Sequence, residues 1–313
     1  MRTNPILLTL LTAALALAAC SGGDRPAGPP ATPGGTTAAG GTAAPGGGAA
    51  PGGTAPTTAG APAATATPPA APPPATAAAR LAADLTRTET ALRDPATPAS
   101  RLPGLGRAQQ RHYRALVRRP RLRAAVLPLL PPALRRVAEA NVLAGAELRA
   151  LSGPAGRLPR WRIVAPPPAA VLLGHYRAAE ARLGVPWHYL AAIHLVETRM
   201  GRIRGTSSAG AKGPMQFLPS TWRRYGGGGD VHATRDAVLA AARMLRATGA
   251  PADMGRALHA YNPDRRYVRG VTAYARQMRA DPRAFLGYHQ WQVYYGDTLL
   301  PEGYPARRPV VPR

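Results

Sequence analysis

The chain of 313 residues has one cysteine, two phenylalanines and only 15 acidic residues against 40 basic ones. Each scarcity removes a class of function. With Cys20 alone, no intramolecular disulfide and no thiolate metal cluster can form. No G-x-S-x-G elbow, P-loop or H-E-x-x-H pair occurs, which leaves lipase, nucleotide and zinc-peptidase chemistry without a motif. Strand-like alternation is scarce before "HQWQVYYG" at 289–296, so the fold is expected to be mainly α. No aromatic residue precedes Tyr113. Residues 21–78 are almost entirely Ala, Pro, Gly and Thr. Such a segment cannot bury enough apolar surface to offset its ordering entropy, so residues 20–78 are expected to be a disordered, proline-extended linker.

What is present begins with Arg2 and the apolar run Ile6 to Ala19, too short for a permanent membrane span. Residues 1–19 read as a signal peptide, and the small residues before Cys20 resemble a bacterial lipobox. In that reading Cys20 becomes the lipidated mature N-terminus and holds the exported protein to a membrane, facing the cell wall. A plain secretory signal with an incidental cysteine is the alternative. The net charge of +25 is carried almost wholly by arginine, Lys212 being the one lysine. It favours anionic partners such as phospholipid or wall polymers. GC-rich coding would give the same bias, and export with no recognition motif argues against nucleic acid.

Helical patterning starts near Ala79. Leu81, Leu85 and Leu92 mark one amphipathic helix; "LGRAQQRHYRALVRRP" marks a second, stopped by Pro120; "PPALRRVAEANVLAGAELRALSG" marks a third, closing at Gly153. These make residues 79–160 a helical region of unassigned role. "LPRWRIVAPPP" reads as an irregular boundary, after which residues 166–285 carry enough apolar helix faces for a compact domain with a core of its own. Residues 286–313 are left as a C-terminal extension.

One helix carries an anomaly. In "AAIHLVETRMG", 191–201, Leu190, Ile193, Glu197 and Met200 share a face, with Pro186 placed to open the helix and Gly201 to end it. A carboxylate on an apolar stripe, at the partially negative end of a helix and with no Lys or Arg in intrahelical reach, is held toward its neutral form. That is what a general acid needs. A Glu at a frayed end, turned into water, is the bland alternative. After it, "RIRGTSSAGAKGPMQFLPSTW" reads as a glycine-rich loop, then a short apolar helical turn stopped by Pro219, while Tyr261 and Asn262 end a later helix. Hydroxyls, an amide, a phenol and aromatics beside an acid suit a sugar polymer.

The run "ETRMG…SSAGAKGPMQFLPSTW" with the later "AYN" resembles the soluble lytic transglycosylase domain, over about residues 170–280. The resemblance implies a lysozyme-like fold, Glu197 as catalytic acid/base, and Ser207, Gln216, Tyr261 and Asn262 as substrate-binding residues. It further implies cleavage of peptidoglycan glycan strands at the MurNAc–GlcNAc bond, with 1,6-anhydro ends and no metal or other cofactor. Pro263 stands where the family has a small residue and glycine. Read from residues alone, Ser207 could instead bond loop backbone, Gln216 could satisfy a backbone group, and Met215, Phe217, Trp187, Trp222 and His194 are packing residues. A hydrolytic muramidase of the same fold and a non-catalytic wall-binding module are the rival functions.

Overall fold

The computed structural model describes residues 76–152 and 156–311. The expected signal peptide, Cys20 and nearly all of the expected linker therefore lie outside the described residues. The first helix, α1 (Ala77–Arg93), starts two residues before the expected Ala79, because the Thr76 hydroxyl accepts the Ala79 amide at 3.1 Å and caps it. Then come α2 (Leu102–Arg118), α3 (Pro120–Val126) and α4 (Pro132–Ser152). Pro120 does end α2, and in the same stroke supplies the first residue of α3, where its missing N–H has no use.

The stretch expected to be irregular contains a short strand, β1 (Arg162–Ile163), and leads to α5 (Ala169–Leu183) and α6 (Trp187–Thr198). Next come β2 (Ile203–Arg204), α7 (Pro219–Tyr225), α8 (Thr234–Ala247), α9 (Met254–Tyr261) and α10 (Arg265–Ala280). The described chain closes with α11 (Ala284–His289) and a hairpin of β3 (Val293–Tyr295) and β4 (Thr298–Leu300). β1 pairs antiparallel with β2, Ile163 opposite Ile203. The molecule is thus mainly α, as composition and periodicity predict.

α6 is the central helix. Leu190, Ala191, Ala192, Ile193, His194 and Leu195 are all without exposure, so it is covered on every side rather than along one stripe. α5, α8, α10 and α11 pack around it. Truncating a side chain such as Leu190 to alanine would leave a cavity costing about 2–5 kcal/mol.

The expected boundary between 79–160 and 166–285 is not a boundary of the core. Buried residues of α1, α2 and α4, such as Leu85, Leu116 and Ala144, belong to the same continuous core as Leu190 and Val271. Polar links cross it as well. On its N-terminal side Glu89, 1% exposed, is hydrogen-bonded by Gln109 Nε2 at 3.1 Å and by the Tyr113 hydroxyl, and pairs with Arg93, all within α1 and α2; Gln109 and Asn141 reach across. Gln109 Oε1 accepts from Trp291 Nε1 at 2.9 Å, and Asn141 Oδ1 from the Tyr288 hydroxyl at 2.7 Å. Such buried polar groups would cost heavily if left unpaired, so the bonds of Gln109 to Trp291 and Asn141 to Tyr288 tie N-terminal helices to the C-terminal end. The expected C-terminal extension, 286–313, begins inside the same core, with Tyr288 and Trp291 among its buried residues.

Candidate active site

The chain around Glu197 is shaped by an abrupt helix end. Instead of Gly201 alone taking the left-handed conformation, Arg199 (φ 54°), Met200 (φ 59°) and Gly201 (φ 83°) all do. Two non-glycine residues in that region cost of order 1–2 kcal/mol each. The surroundings hold them there. The Arg199 guanidinium returns Nη1 to the Leu195 carbonyl at 2.7 Å. Thr198 Oγ1 donates to the Pro214 carbonyl at 2.6 Å and accepts from the Gly201 amide at 3.1 Å, which pins the following loop to the helix end.

Glu197 is partly covered, the one residue of its turn that reaches an accessible surface while Val196 and Thr198 beside it are buried. No ion pair involves it among the described residues. Its carboxyl is pushed up to about 8, first by loss of hydration; the opposing effect is a hydrogen bond from the Tyr267 hydroxyl to Oε1 at 2.7 Å. With Oε1 accepting, the other oxygen is the one left to carry the proton of the neutral acid. Desolvation expected from the helix face is therefore present, and the frayed end turned into water is not.

Tyr267 escapes a motif-based reading, since its partner lies 70 positions away. The available signal was its place on the buried face of α10, in step with Gly270, Val271 and Tyr274, which leaves a phenol needing a partner. Tyr261 stacks parallel to Tyr267, ring centroids 6.4 Å apart at 6°, and gives its hydroxyl to the Met215 carbonyl at 2.6 Å. Phe217 meets Tyr261 edge-on at 5.9 Å and Trp222 at 5.5 Å. An aromatic run thus extends from Trp222 to the Tyr267 phenol that holds Glu197.

The loop departs from expectation at "GPMQFLP". It is a tight reversal, not a helical turn: Lys212 and Phe217 exchange two backbone bonds of 2.8 Å, and Gln216 sits at φ 51°. Gly213, at φ 75°, begins the reversal, and a Cβ there would lie 1.9 Å from the Val231 carbonyl oxygen. Pro219 opens α7 instead of stopping anything.

The other expected site residues are placed unevenly. Ser207, half-buried, accepts the Ala211 amide at 3.0 Å, closing its own loop. Gln216 Nε2 donates to the Gly213 carbonyl at 2.8 Å, so its carboxamide oxygen is the end left for a ligand. Asn262 is 1% exposed at the end of α9 and has no surface to offer a substrate. His194 is buried against the Tyr176 hydroxyl at 2.6 Å and driven down to about 3 by desolvation, so it is a neutral packing residue.

The loop also edges an open groove along β1 and β2, lined by Trp161, Arg162, Arg204, Thr206, Gly213 and His232. Glu197 is not part of its lining, which shares Thr206 and Gly213 with the glycine-rich loop. Its arginines favour an anionic chain, and Trp161, seated against Gly205, offers a ring face.

Candidates for a second carboxylate are occupied elsewhere. Glu180 Oε1 accepts the Trp187 amide at 3.1 Å, at the opposite end of α6. Ten residues of helix separate that amide from Glu197, about 15 Å at 1.5 Å per residue, beyond the span of a paired-carboxylate glycosidase. Asp230 turns Oδ1 onto the His232 amide at 2.8 Å. No acidic side chain contributes to the shift at Glu197. Among the described residues no cluster of His, Cys, Asp and Glu could hold a metal ion. Comparison with family models, curated proteins and solved structures finds no match to this chain.

Proposed function

We propose that the chain is a peptidoglycan lytic transglycosylase with Glu197 as its single acid/base. The observation that carries the reading is a solitary carboxyl, desolvated to about 8 and held by Tyr267, with no second acid acting on it. The resemblance of "ETRMG…SSAGAKGPMQF…AYN" to the transglycosylase domain supplies the substrate class.

In this mechanism Glu197 gives its proton to the glycosidic oxygen as the bond to the muramyl anomeric carbon breaks. The carboxylate left behind takes the proton of the muramyl 6-hydroxyl. That oxygen then bonds to the anomeric carbon, closing the 1,6-anhydro ring. Glu197 ends protonated and no water is consumed. Tyr267 holds Oε1 throughout, favouring the transient anion, while burial favours its reprotonation. The 6-hydroxyl is already tethered beside the reacting carbon, which gives it a large effective concentration over water. An inverting hydrolase would need a second carboxylate to orient water. Tyr261, Gln216 and the basic groove are assigned to holding the glycan, and Asn262 to shaping the end of α9. The same proposal has Cys20 lipidated and the protein exported, with wall glycan as its partner and no nucleic acid.

Mass analysis of fragments released from purified cell walls tests this. The expected products carry 1,6-anhydromuramic ends, lighter by one water than hydrolysis products and resistant to borohydride. Reducible ends would replace the proposal with a muramidase. Release of nothing by the intact protein would leave a wall-binding module.

A further inference from the structure

A second cavity lies between α2, α4, α10 and the β3–β4 hairpin, and Glu197 does not line it. Its volume is about 130 Å³, below that of a site enclosing a whole ligand, so it suits one end of a molecule entering from the mouth. Its walls are aromatic: Tyr113, Trp161, Tyr274, Trp291, Tyr294 and Tyr295. Four arginines also line it, Arg114, Arg118, Arg149 and Arg199.

The charges do not balance. Asp297 alone answers the first three, in contact with Arg118 and at 3.6 Å from Arg114 and 3.9 Å from Arg149. Arg114 further donates to the Gly296 carbonyl at 2.7 Å and lies 3.7 Å over the Tyr294 ring. Arg199 has no carboxylate among the described residues. One of its nitrogens is used on Leu195, and the rest of its planar fork makes no hydrogen bond among the described residues. Burial lowers its pKa from the ordinary arginine value. The Tyr274 hydroxyl is likewise without a hydrogen bond among the described residues and is pushed up to about 12 by burial, so it remains a neutral donor.

The potential acceptors in the wall are committed. Gln110 exchanges two 2.8 Å bonds with the Gln292 backbone, and Asn141 is taken by the Val137 carbonyl and the Tyr288 hydroxyl. The cavity therefore offers donors and positive charge, and few acceptors. A neutral sugar, which presents donors in every hydroxyl, would leave many of them unmatched. A carboxylate suits the free fork of Arg199 and the Tyr274 hydroxyl together, and an apolar body suits the rings around them.

We propose that this cavity is a binding site for the C-terminal carboxylate of a short peptide, received by Arg199 and Tyr274 with its apolar residues against the aromatic wall. The inference stands apart from the transglycosylase reading; under that reading, the peptides hanging from the glycan would bring such carboxylates, since Arg199 follows Glu197 by two residues.

Titration calorimetry of the full chain with N-acetyl-D-alanyl-D-alanine and with its C-terminal amide tests it. The carboxylate is expected to bind with Kd below about 1 mM, and the amide at least about tenfold more weakly. Arg199→Gln should lose binding at least about tenfold, Tyr274→Phe several-fold, and Glu197→Gln none. Tyr274→Phe keeps the ring and carries the test should Arg199→Gln fail to fold by circular dichroism. Equal binding of acid and amide, or none of either, overturns the proposal. Because the readout is binding, peptide capture by a protein that cleaves no wall would sink only the proposed function, and wall cleavage without capture would sink only this site.

Discussion

Replacing Glu197 with glutamine separates the cost of its ionisation from everything else the residue does. The amide keeps the shape, and its oxygen can still accept from Tyr267, but it cannot ionise. In the native protein the carboxyl titrates near 8 against 4.5 when unfolded. Between these values the folded state binds a proton that the unfolded chain has released, so stability falls as pH rises. The loss begins above 4.5, is complete above about 8, and is flat beyond. The span of 8 − 4.5 = 3.5 units corresponds to at most about 5 kcal/mol at 1.36 kcal/mol per unit. The accessible side of Glu197 lets water relax part of this, which brings the expected value nearer about 2–3 kcal/mol. Urea unfolding of both proteins at pH 5, 7 and 9 reads it directly. Wild-type stability should drop relative to Glu197→Gln across that range, while other titrations cancel in the difference. A difference that does not change with pH would mean that Glu197 is an ordinary solvated carboxylate. The same variant should lose at least about a hundredfold in wall-cleaving activity, the low end of general acid/base contributions.

Three further outcomes follow from named contacts. Tyr267→Phe removes the one hydrogen bond that lowers the Glu197 pKa, so the alkaline limb of the activity profile should move to higher pH as turnover falls; an unmoved limb refutes the pairing. Gly213→Ala places a Cβ against the Val231 carbonyl at positive φ and should cost about 1–3 kcal/mol in thermal unfolding, whereas a neutral effect would mean the reversal is drawn wrongly. Cys20→Ala should release the protein from membrane fractions or leave it unprocessed; a correctly cleaved variant that stays on the membrane sinks the anchor.

How much of this was legible depends on the range of the interaction. The helices were readable because 3.6-residue patterning and proline act locally: α2 ends, and α4 begins, at prolines that the chain displays. The face bearing Leu190, Ile193, Glu197 and Met200 was readable for the same reason, and with it the desolvation of Glu197. Tyr267 was not, because nothing within one helix tells which phenol will meet a carboxyl on another. β1 and β2 have two residues each, too few for alternation to register. Gln216 at positive φ lies in a reversal begun at Gly213, whose approach to the Val231 carbonyl is a contact across the loop that composition does not encode. Asn262 matched a motif in order yet faces inward, since order along the chain does not fix the side that is exposed.

The tie between Gln109 and Trp291 spans 182 positions, as do both bonds between Gln110 and Gln292, and Arg283 reaches the Leu92 carbonyl across 191. The two ends of the described chain close on one another. Native contacts of that sequence separation raise contact order and slow the search for the folded state. Gln109 Oε1 and the Gln110 amide wait for Trp291 and Gln292, whereas Glu89 is already met within α1 and α2. A nascent chain threaded from its N-terminus would leave those helices open for as long as its tail was held elsewhere. The latch thus makes completion of the core wait on residues 283–292.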